Sequence, residues 1–281
     1  MSFIAANADT APPRVEGAAD NLKLRLLSVL VLAPIEIVAL VWSATSFAVL
    51  MAATGMTMAW EWDRLRTGRF GVVGWIAAIA VVAAAGFSLA GTILIATALA
   101  LVAAAIGYCT VRLTDRRDAE LAALGILVAV MTASALIWLR SIPESGLPLA
   151  GWLIGTVWAT DTGAYAAGKA IGGPRLAPRV SPGKTWAGLA GGIVLAAVWG
   201  AAFAAIWKGG IGYSAALAGV GAVLAQMGDL VISAVKRHYG AKDSSHIIPG
   251  HGGVLDRIAG LVITGPLMAS MVAIGSFAPW R

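Results

Sequence analysis

Long apolar stretches, separated by short clusters of charge, glycine or proline, fill the chain from residue 24 to residue 277. Runs bounded in this way predict nine helices, at 24–42, 45–61, 70–86, 90–109, 119–139, 148–168, 185–207, 213–235 and 254–277. A helix rises about 1.5 Å per residue, so about 20 residues cross a hydrocarbon core, and most of the nine meet that length. A closed barrel, the other spanning solution, needs short strands of alternating polarity, whereas apolar runs here reach twenty residues. Residues 1–21 are polar, small and proline-interrupted, and read as a soluble N-terminal tail rather than a secretory signal. Residues 22–281 read as a single transmembrane domain. The expected fold class is an all-α polytopic membrane protein.

Composition agrees with the pattern. Of 281 residues 59% are apolar and 12% charged, about half the charge of an average soluble domain. A soluble globule, a disordered chain and a fibrous repeat are excluded. With the N-terminus in the cytoplasm, the nine-helix division places seventeen of the twenty Lys and Arg residues on the cytoplasmic side. Only Arg140, Lys208 and Arg281 fall opposite. That asymmetry predicts an N-in, C-out protein of a bacterial-type inner membrane. The basic face suits anionic lipids, and beyond the high isoelectric point nothing supports nucleic acid as a partner. Trp60, Trp62, Trp138, Trp152 and Trp186 lie near predicted span ends and are expected to anchor at the interface. Gly188 and Gly192 form a small-xxx-small pair, a weak pointer to dimerisation. The lone Cys109 excludes an intrachain disulfide and is expected to be a small buried hydrophobe.

Four acids fall inside predicted spans: Glu36, Asp161, Asp229 and Asp256. Intramembrane carboxylates are functional candidates by default. Glu36 follows Pro34 with no motif around it, and a local hydrogen bond is expected there. Asp161 stands eight residues before Lys169 and Asp229 seven before Lys236, which sets both about 10–12 Å inward of the cytoplasmic loops. Asp256 begins the ninth span, so three acids share one level. Crowded carboxylates repel unless protonated or bridged by cations, and with phosphate present the natural bridge is magnesium. Asp229, Ser233 and Lys236 lie on one helical face, as do Asp161, Tyr165 and Lys169. Each stripe joins a metal-binding acid to an anion-binding cation.

Two loops add cations. The first carries Arg175, Arg179 and Lys184. Its Gly183-Lys184-Thr185 is not a nucleotide-binding P-loop, because Pro178 stands where the first glycine is needed and no strand is expected before it. Lys184 can still bind phosphate as a point charge. The second loop holds His238, His246 and His251, whose spacing is not that of a zinc site. Its Gly250, Gly252 and Gly253 permit unusual backbone angles.

The residues of this second loop form a long pattern. It runs Ser233, Lys236, Arg237, then Lys242-Asp243-Ser244-Ser245, then Pro249-Gly250-His251-Gly252-Gly253-Val254-Leu255-Asp256-Arg257. Together with Trp158, Asp161, Thr162, Ala164 and Tyr165, with Ser181 through Trp186, and with Gln226, Gly228, Asp229 and Leu230, it resembles the signature of phosphatidate cytidylyltransferases. The clear resemblance spans 158–259, and the first 150 residues match only as generic spans. The family pattern usually closes with Asp where this chain has Ala259, and Ala187 replaces a residue that is often polar; the first difference bears on the ligand count.

The resemblance implies transfer of CMP from CTP to phosphatidate, giving CDP-diacylglycerol and pyrophosphate, in a magnesium-dependent homodimer whose site opens to the cytoplasm. It implies Asp229 and Asp256 as magnesium ligands, with a second cation possible, and Ser233 as a hydrogen-bond donor. Lys236, Arg237 and Lys242 would hold phosphates, and Asp243, His251 and Arg257 would join the substrate site. Asp161 and Tyr165 would line the cavity, while Lys184, Arg175 and Arg179 guide lipid headgroup or nucleotide. Other classes are distinguished by product: a CTP-dependent lipid kinase would release CDP, and an ion-coupled transporter or a silent structural homologue would release neither product.

Overall fold

The computed structural model describes residues 18–113, 115, 118–250 and 252–275. The N-terminal tail through residue 17 and His251 lie outside the described residues. Ten helices follow in order: α1 Ala18–Trp42, α2 Ala44–Thr67, α3 Val72–Leu89, α4 Ile93–Arg112, α5 Ala119–Ser141, α6 Gly146–Ala170, α7 Trp186–Ile206, α8 Ile211–His238, α9 Val254–Ile258 and α10 Leu261–Ala273. Eight match the predicted runs. The ninth run is two helices, jointed at Ala259–Gly260, where Val262 N–H bonds Ala259 O three residues back. Gly260 fits this joint because a Cβ there would lie 2.8 Å from Val157 of α6.

Among the described residues, α3, α4, α5, α7 and α8 are long and apolar enough to cross a membrane. Apolar side chains such as Val82, Leu94, Leu101, Val102, Val194 and Val220 point outward from them, as a lipid-facing surface requires. Helix α5 is the axle. Its Val130, Ile137 and Leu139 are fully buried, and α2, α3, α4, α6 and α10 all pack on it. Ser43 and Ser46 end α1 and start α2 by reciprocal capping: Ser46 N–H donates to Ser43 Oγ at 2.9 Å and Ser43 N–H to Ser46 Oγ at 3.1 Å.

The α6–α7 seam depends on small residues. A Cβ on Gly163 would overlap the Gly191 carbonyl, one on Gly192 would lie 3.0 Å from Thr160 O, and one on Gly188 3.0 Å from Ala164 O. The Gly188–Gly192 pair is therefore taken up inside the chain rather than offered to a second copy. Two of the five tryptophans also depart from expectation. Trp152 is buried and donates to Ser214 Oγ at 2.9 Å, and buried Trp62 donates to Leu121 O at 2.9 Å. Both tie helices together instead of anchoring at an interface. Cys109 faces outward on α4, contrary to its reading as a buried hydrophobe. Glu36 has no hydrogen bond or ion pair among the described residues, so the expected local bond is not made.

The loop between α6 and α7 is not wholly irregular. Strands β1 (Arg175–Ala177) and β2 (Ser181–Thr185) pair antiparallel, with Arg175 opposite Thr185 and Ala177 opposite Ser181. A strand thus carries Lys184 directly into α7, which the sequence reading did not expect. Thr185 caps α7 by accepting Gly188 N–H at 3.0 Å.

The seam generates a stability prediction. Gly163→Ala forces two backbones apart and is expected to destabilise the detergent-solubilised protein by about 1–3 kcal/mol. Gly86→Ala on α3, where a Cβ meets nothing, should be neutral or raise the unfolding midpoint slightly. Equal midpoints for the two variants would refute the seam's role.

Candidate active site

Two adjoining clefts, each of about 180 Å³, share Lys184 and Asp229. The first lies between α6, α7 and α8, lined by Asp161, Ala164, Tyr165, Gly183, Lys184, Thr185, Gly188, Leu189, Gln226 and Asp229. The second lies between α8 and α9, lined by Lys184, Asp229, Ile232, Ser233, Lys236, Asp243, Asp256, Arg257 and Ala259. The predicted stripe of Asp229, Ser233 and Lys236 therefore faces one space. So do Asp161 and Tyr165; Lys169 keeps to the same helical face, 5.7 Å over the Tyr165 ring, but lines neither cleft.

Lys184 reaches from β2 to donate to Asp229 Oδ2 at 2.7 Å and to Gln226 Oε1 at 2.6 Å. It bridges the hairpin to α8 at the junction of the clefts. Lys236 pairs with Asp256 Oδ1. The other oxygen of Asp256 accepts Ser244 N–H at 2.9 Å, Ser244 Oγ–H at 3.0 Å and Gly253 N–H at 3.0 Å. Asp256 lies on the five-residue α9, ahead of the apolar α10. Lys236 and the two backbone N–H groups meet its charge there.

A residue that sequence reasoning missed anchors this loop. Glu61, fully buried near the end of α2, accepts four hydrogen bonds. Oε1 takes Ser245 Oγ–H at 2.6 Å and Val254 N–H at 2.8 Å; Oε2 takes Ser244 Oγ–H at 2.9 Å and Leu255 N–H at 2.7 Å. Gly253 is required by the same contact, since a Cβ would overlap Ser244 Oγ and Glu61 Oε1. Its backbone is extended, so close approach and not an unusual angle demands glycine. Gly250 and Gly252 do have positive φ, 73° and 80°.

A second network lies beside it. Asp63 accepts Gly71 N–H at 2.6 Å, Gly74 N–H at 3.1 Å and Arg66 Nη2 at 2.9 Å. Arg66 Nη1 continues to Asp118 at 2.7 Å, and Tyr239 O–H closes the chain to Asp118 at 2.5 Å. Burial and that bond to Asp118 push the Tyr239 phenol well above its ordinary range. The polar cluster Glu61, Asp63, Arg64 and Arg66 at the end of a predicted span was the available signal for both networks.

The remaining predicted site residues are placed as follows. Arg237 is exposed and donates to Val180 O at 3.3 Å and Ala241 O at 3.1 Å, fastening the hairpin tip. Arg257 and Asp243 are exposed at the second cleft. Lys242, Arg175 and Arg179 are exposed and make no ion pair among the described residues. Ala259, where the resembling pattern usually has Asp, is buried and lines the second cleft. Its missing carboxylate is therefore missing from the site itself. Among the described residues no three His, Cys, Asp or Glu side chains group closely enough to hold a metal alone.

A mainly helical protein with apolar helices long enough to span a membrane and a cleft of paired lysines and carboxylates is the class this structure defines. The family follows from comparison: residues 23–275 match the model of the cytidylyltransferase family, and the chain belongs to it. It is 35% identical over 264 residues to the phosphatidate cytidylyltransferase of Brucella suis, covering 90% of this chain and 94% of that protein. The phosphatidate cytidylyltransferase of Pseudomonas aeruginosa is 37% identical over 279 residues, covering 92% and 100%. That of Bacillus subtilis is 41% identical over 140 residues, 49% of this chain and 52% of the relative.

The Asp256 geometry predicts a stability difference. Asp256→Asn places an amide against the N–H donors of Ser244 and Gly253 and should lower stability by about 1–3 kcal/mol at neutral pH. An unfolding midpoint for the variant equal to that of wild type would contradict the assignment.

Proposed function

We propose that this chain transfers CMP from CTP to phosphatidate, yielding CDP-diacylglycerol and pyrophosphate. The observation that carries the reading is the pair of adjoining clefts in which Lys184–Asp229 and Lys236–Asp256 meet. A phosphatidate oxygen attacks the α-phosphorus of CTP. The bond from that phosphorus to the bridging oxygen breaks, and pyrophosphate leaves with the electron pair. The nucleophile is already anionic, so no strong base is needed; the barrier lies in bringing anions together. Alignment and neutralisation therefore carry catalysis.

The lysines suit that task. An ammonium has three donors. Lys184 uses two on Asp229 and Gln226 and Lys236 one on Asp256, leaving donors for phosphate. Ser233 supplies a further hydroxyl and Arg257 a guanidinium at the same cleft. Arg237 acts by fixing the hairpin. Exposed Arg175, Arg179 and Lys242 attract nucleotide or lipid headgroup, with Asp243 and His251 completing the substrate set.

The residues present fit magnesium. Three cations face four carboxylates across the two clefts, so polyanionic substrates need additional positive charge. Magnesium takes one or two carboxylates and leaves its other positions to water and phosphate. Asp229 Oδ1 makes no hydrogen bond among the described residues, whereas both oxygens of Asp256 are engaged; Asp229 would be the primary ligand and Asp256 the secondary. When bound, the ion would neutralise phosphate charge, and a second cation has the same rationale.

The proposed setting is a bacterial-type inner membrane, crossed nine times, N-in and C-out, with the clefts facing the cytoplasm. The basic-residue asymmetry supports that orientation. Helices α9 and α10 with their joint run from Val254 to Ala273, twenty residues, which is enough for a ninth crossing. A homodimer, if formed, would use a surface other than the α6–α7 glycine seam.

The test is incubation of purified protein with labelled CTP, phosphatidate and magnesium, followed by identification of both products. CDP-diacylglycerol and pyrophosphate are expected; CDP, or no turnover, would sink the reading. Asp229→Asn and Lys236→Ala should each lower turnover about 100-fold or more in folded protein. Near-normal turnover of Asp229→Asn with unchanged magnesium dependence would remove it from the metal site.

A further inference from the structure

We infer that Glu61 is a positioning residue of the reaction: from α2 it holds the amino end of α9 and thereby sets Asp256 against Lys236. Glu61 touches none of the cleft space itself. It acts through Ser244, Ser245, Val254 and Leu255, which lie more than 180 residues further along the chain.

The chemistry is one-directional. Each Glu61 oxygen takes one hydroxyl and one backbone N–H. A hydroxyl can turn and accept, but a backbone N–H can only donate. Replacing either oxygen by an amide NH₂ therefore sets hydrogen against hydrogen at Val254 or Leu255. A carboxylate is the side chain that satisfies all four donors at once. Water has no access to substitute, because Glu61 is fully buried, and an unmet N–H there costs about 1–3 kcal/mol.

The link to the cleft is Ser244. Its hydroxyl lies 2.9 Å from Glu61 Oε2 and 3.0 Å from Asp256 Oδ2, and its single proton is shared between two carboxylates. Its own N–H bonds Asp256 as well. Loss of the Glu61 acceptor frees Ser244 and the first turn of α9 together, and Asp256 moves with them. A displacement of about 1 Å in a group that aligns reactants can lower turnover about 100-fold.

This inference rests on the proposed cytidylyl transfer, and the experiment separates the two. In wild-type protein, hydrogen exchange at the Val254 and Leu255 amides is expected to be among the slowest in residues 241–258; fast exchange there overturns the clamp whatever the activity. Glu61→Gln and the shorter Glu61→Asp are then compared with Trp62→Phe, a neighbouring scaffold change that removes the bond to Leu121 O. For the Glu61 variants, kcat per folded molecule should fall about 10- to 100-fold, KM for phosphatidate should stay within about two-fold, and exchange across 244–256 should accelerate. Trp62→Phe should lower the unfolding midpoint with kcat unchanged. If neither folded Glu61 variant loses more than about two-fold in kcat, or if Trp62→Phe loses as much as they do, the positioning role is overturned. Absence of cytidylyl transfer in wild type would instead refute the activity, with the exchange result still deciding the clamp.

Discussion

A charge cannot be buried alone, and this constraint shapes the whole cytoplasmic-side architecture proposed for the protein. Removing a carboxylate from water costs several kcal/mol unless a cation or several N–H donors meet it. Asp229 and Asp256 are met by lysines, Asp63 by an arginine and two backbone N–H groups, and Glu61 by two hydroxyls and two backbone N–H groups. Each solution joins separate elements: β2 to α8, α8 to α9, α2 to α3, and α2 to α9 and the loop before it. The apolar helices supply the mass of the fold, but these carboxylates decide how its ends are registered.

Much of this was legible in the sequence because hydrophobic periodicity and length are local properties. Eight of nine predicted runs became single helices, and Asp229, Ser233 and Lys236 share a cleft as their i, i+4, i+7 spacing required. What was not legible depends on long-range contact. Glu61 did not stand out in the sequence, since nothing local reveals that Val254 and Leu255 bring N–H groups to it. Trp62 and Trp152 looked like interfacial anchors for the same reason; their indole N–H groups are satisfied by partners 59 and 62 residues away. The hairpin escaped notice because Pro, Gly and Lys are poor strand formers. Its pairing comes from closure between α6 and α7.

The division of the chain therefore differs from the one its motifs imply. The first 150 residues, which resemble only generic spans, provide Glu61, Asp63, Arg66 and Asp118, all in contact with each other's networks or with the later loop. Helix α2 joins the two halves through its polar end, alongside the packing of α5 on α6 and α10. Its amphiphilic end lies where α9 begins and where Tyr239, three residues past Lys236, reaches Asp118. The Lys236–Asp256 pair thus leans on polar groups outside the signature.

Ala259 can be understood in the same electrostatic terms. Residues 256 and 259 stand at i, i+3 on adjoining turns, so an Asp at 259 would add a charge beside Asp256 in the second cleft. That would place five carboxylates against three cations, and Lys236 would face two acids in place of one. With alanine, Asp256 keeps Lys236 to itself and Ser244 and Gly253 complete its shell. The methyl group instead fills a buried position whose backbone carbonyl already abuts Gly228 of α8. The cleft gives up one carboxylate and in return presents less negative charge to incoming phosphates. Asp229, with one oxygen open, is left as the carboxylate through which the proposed magnesium ion would chiefly be held.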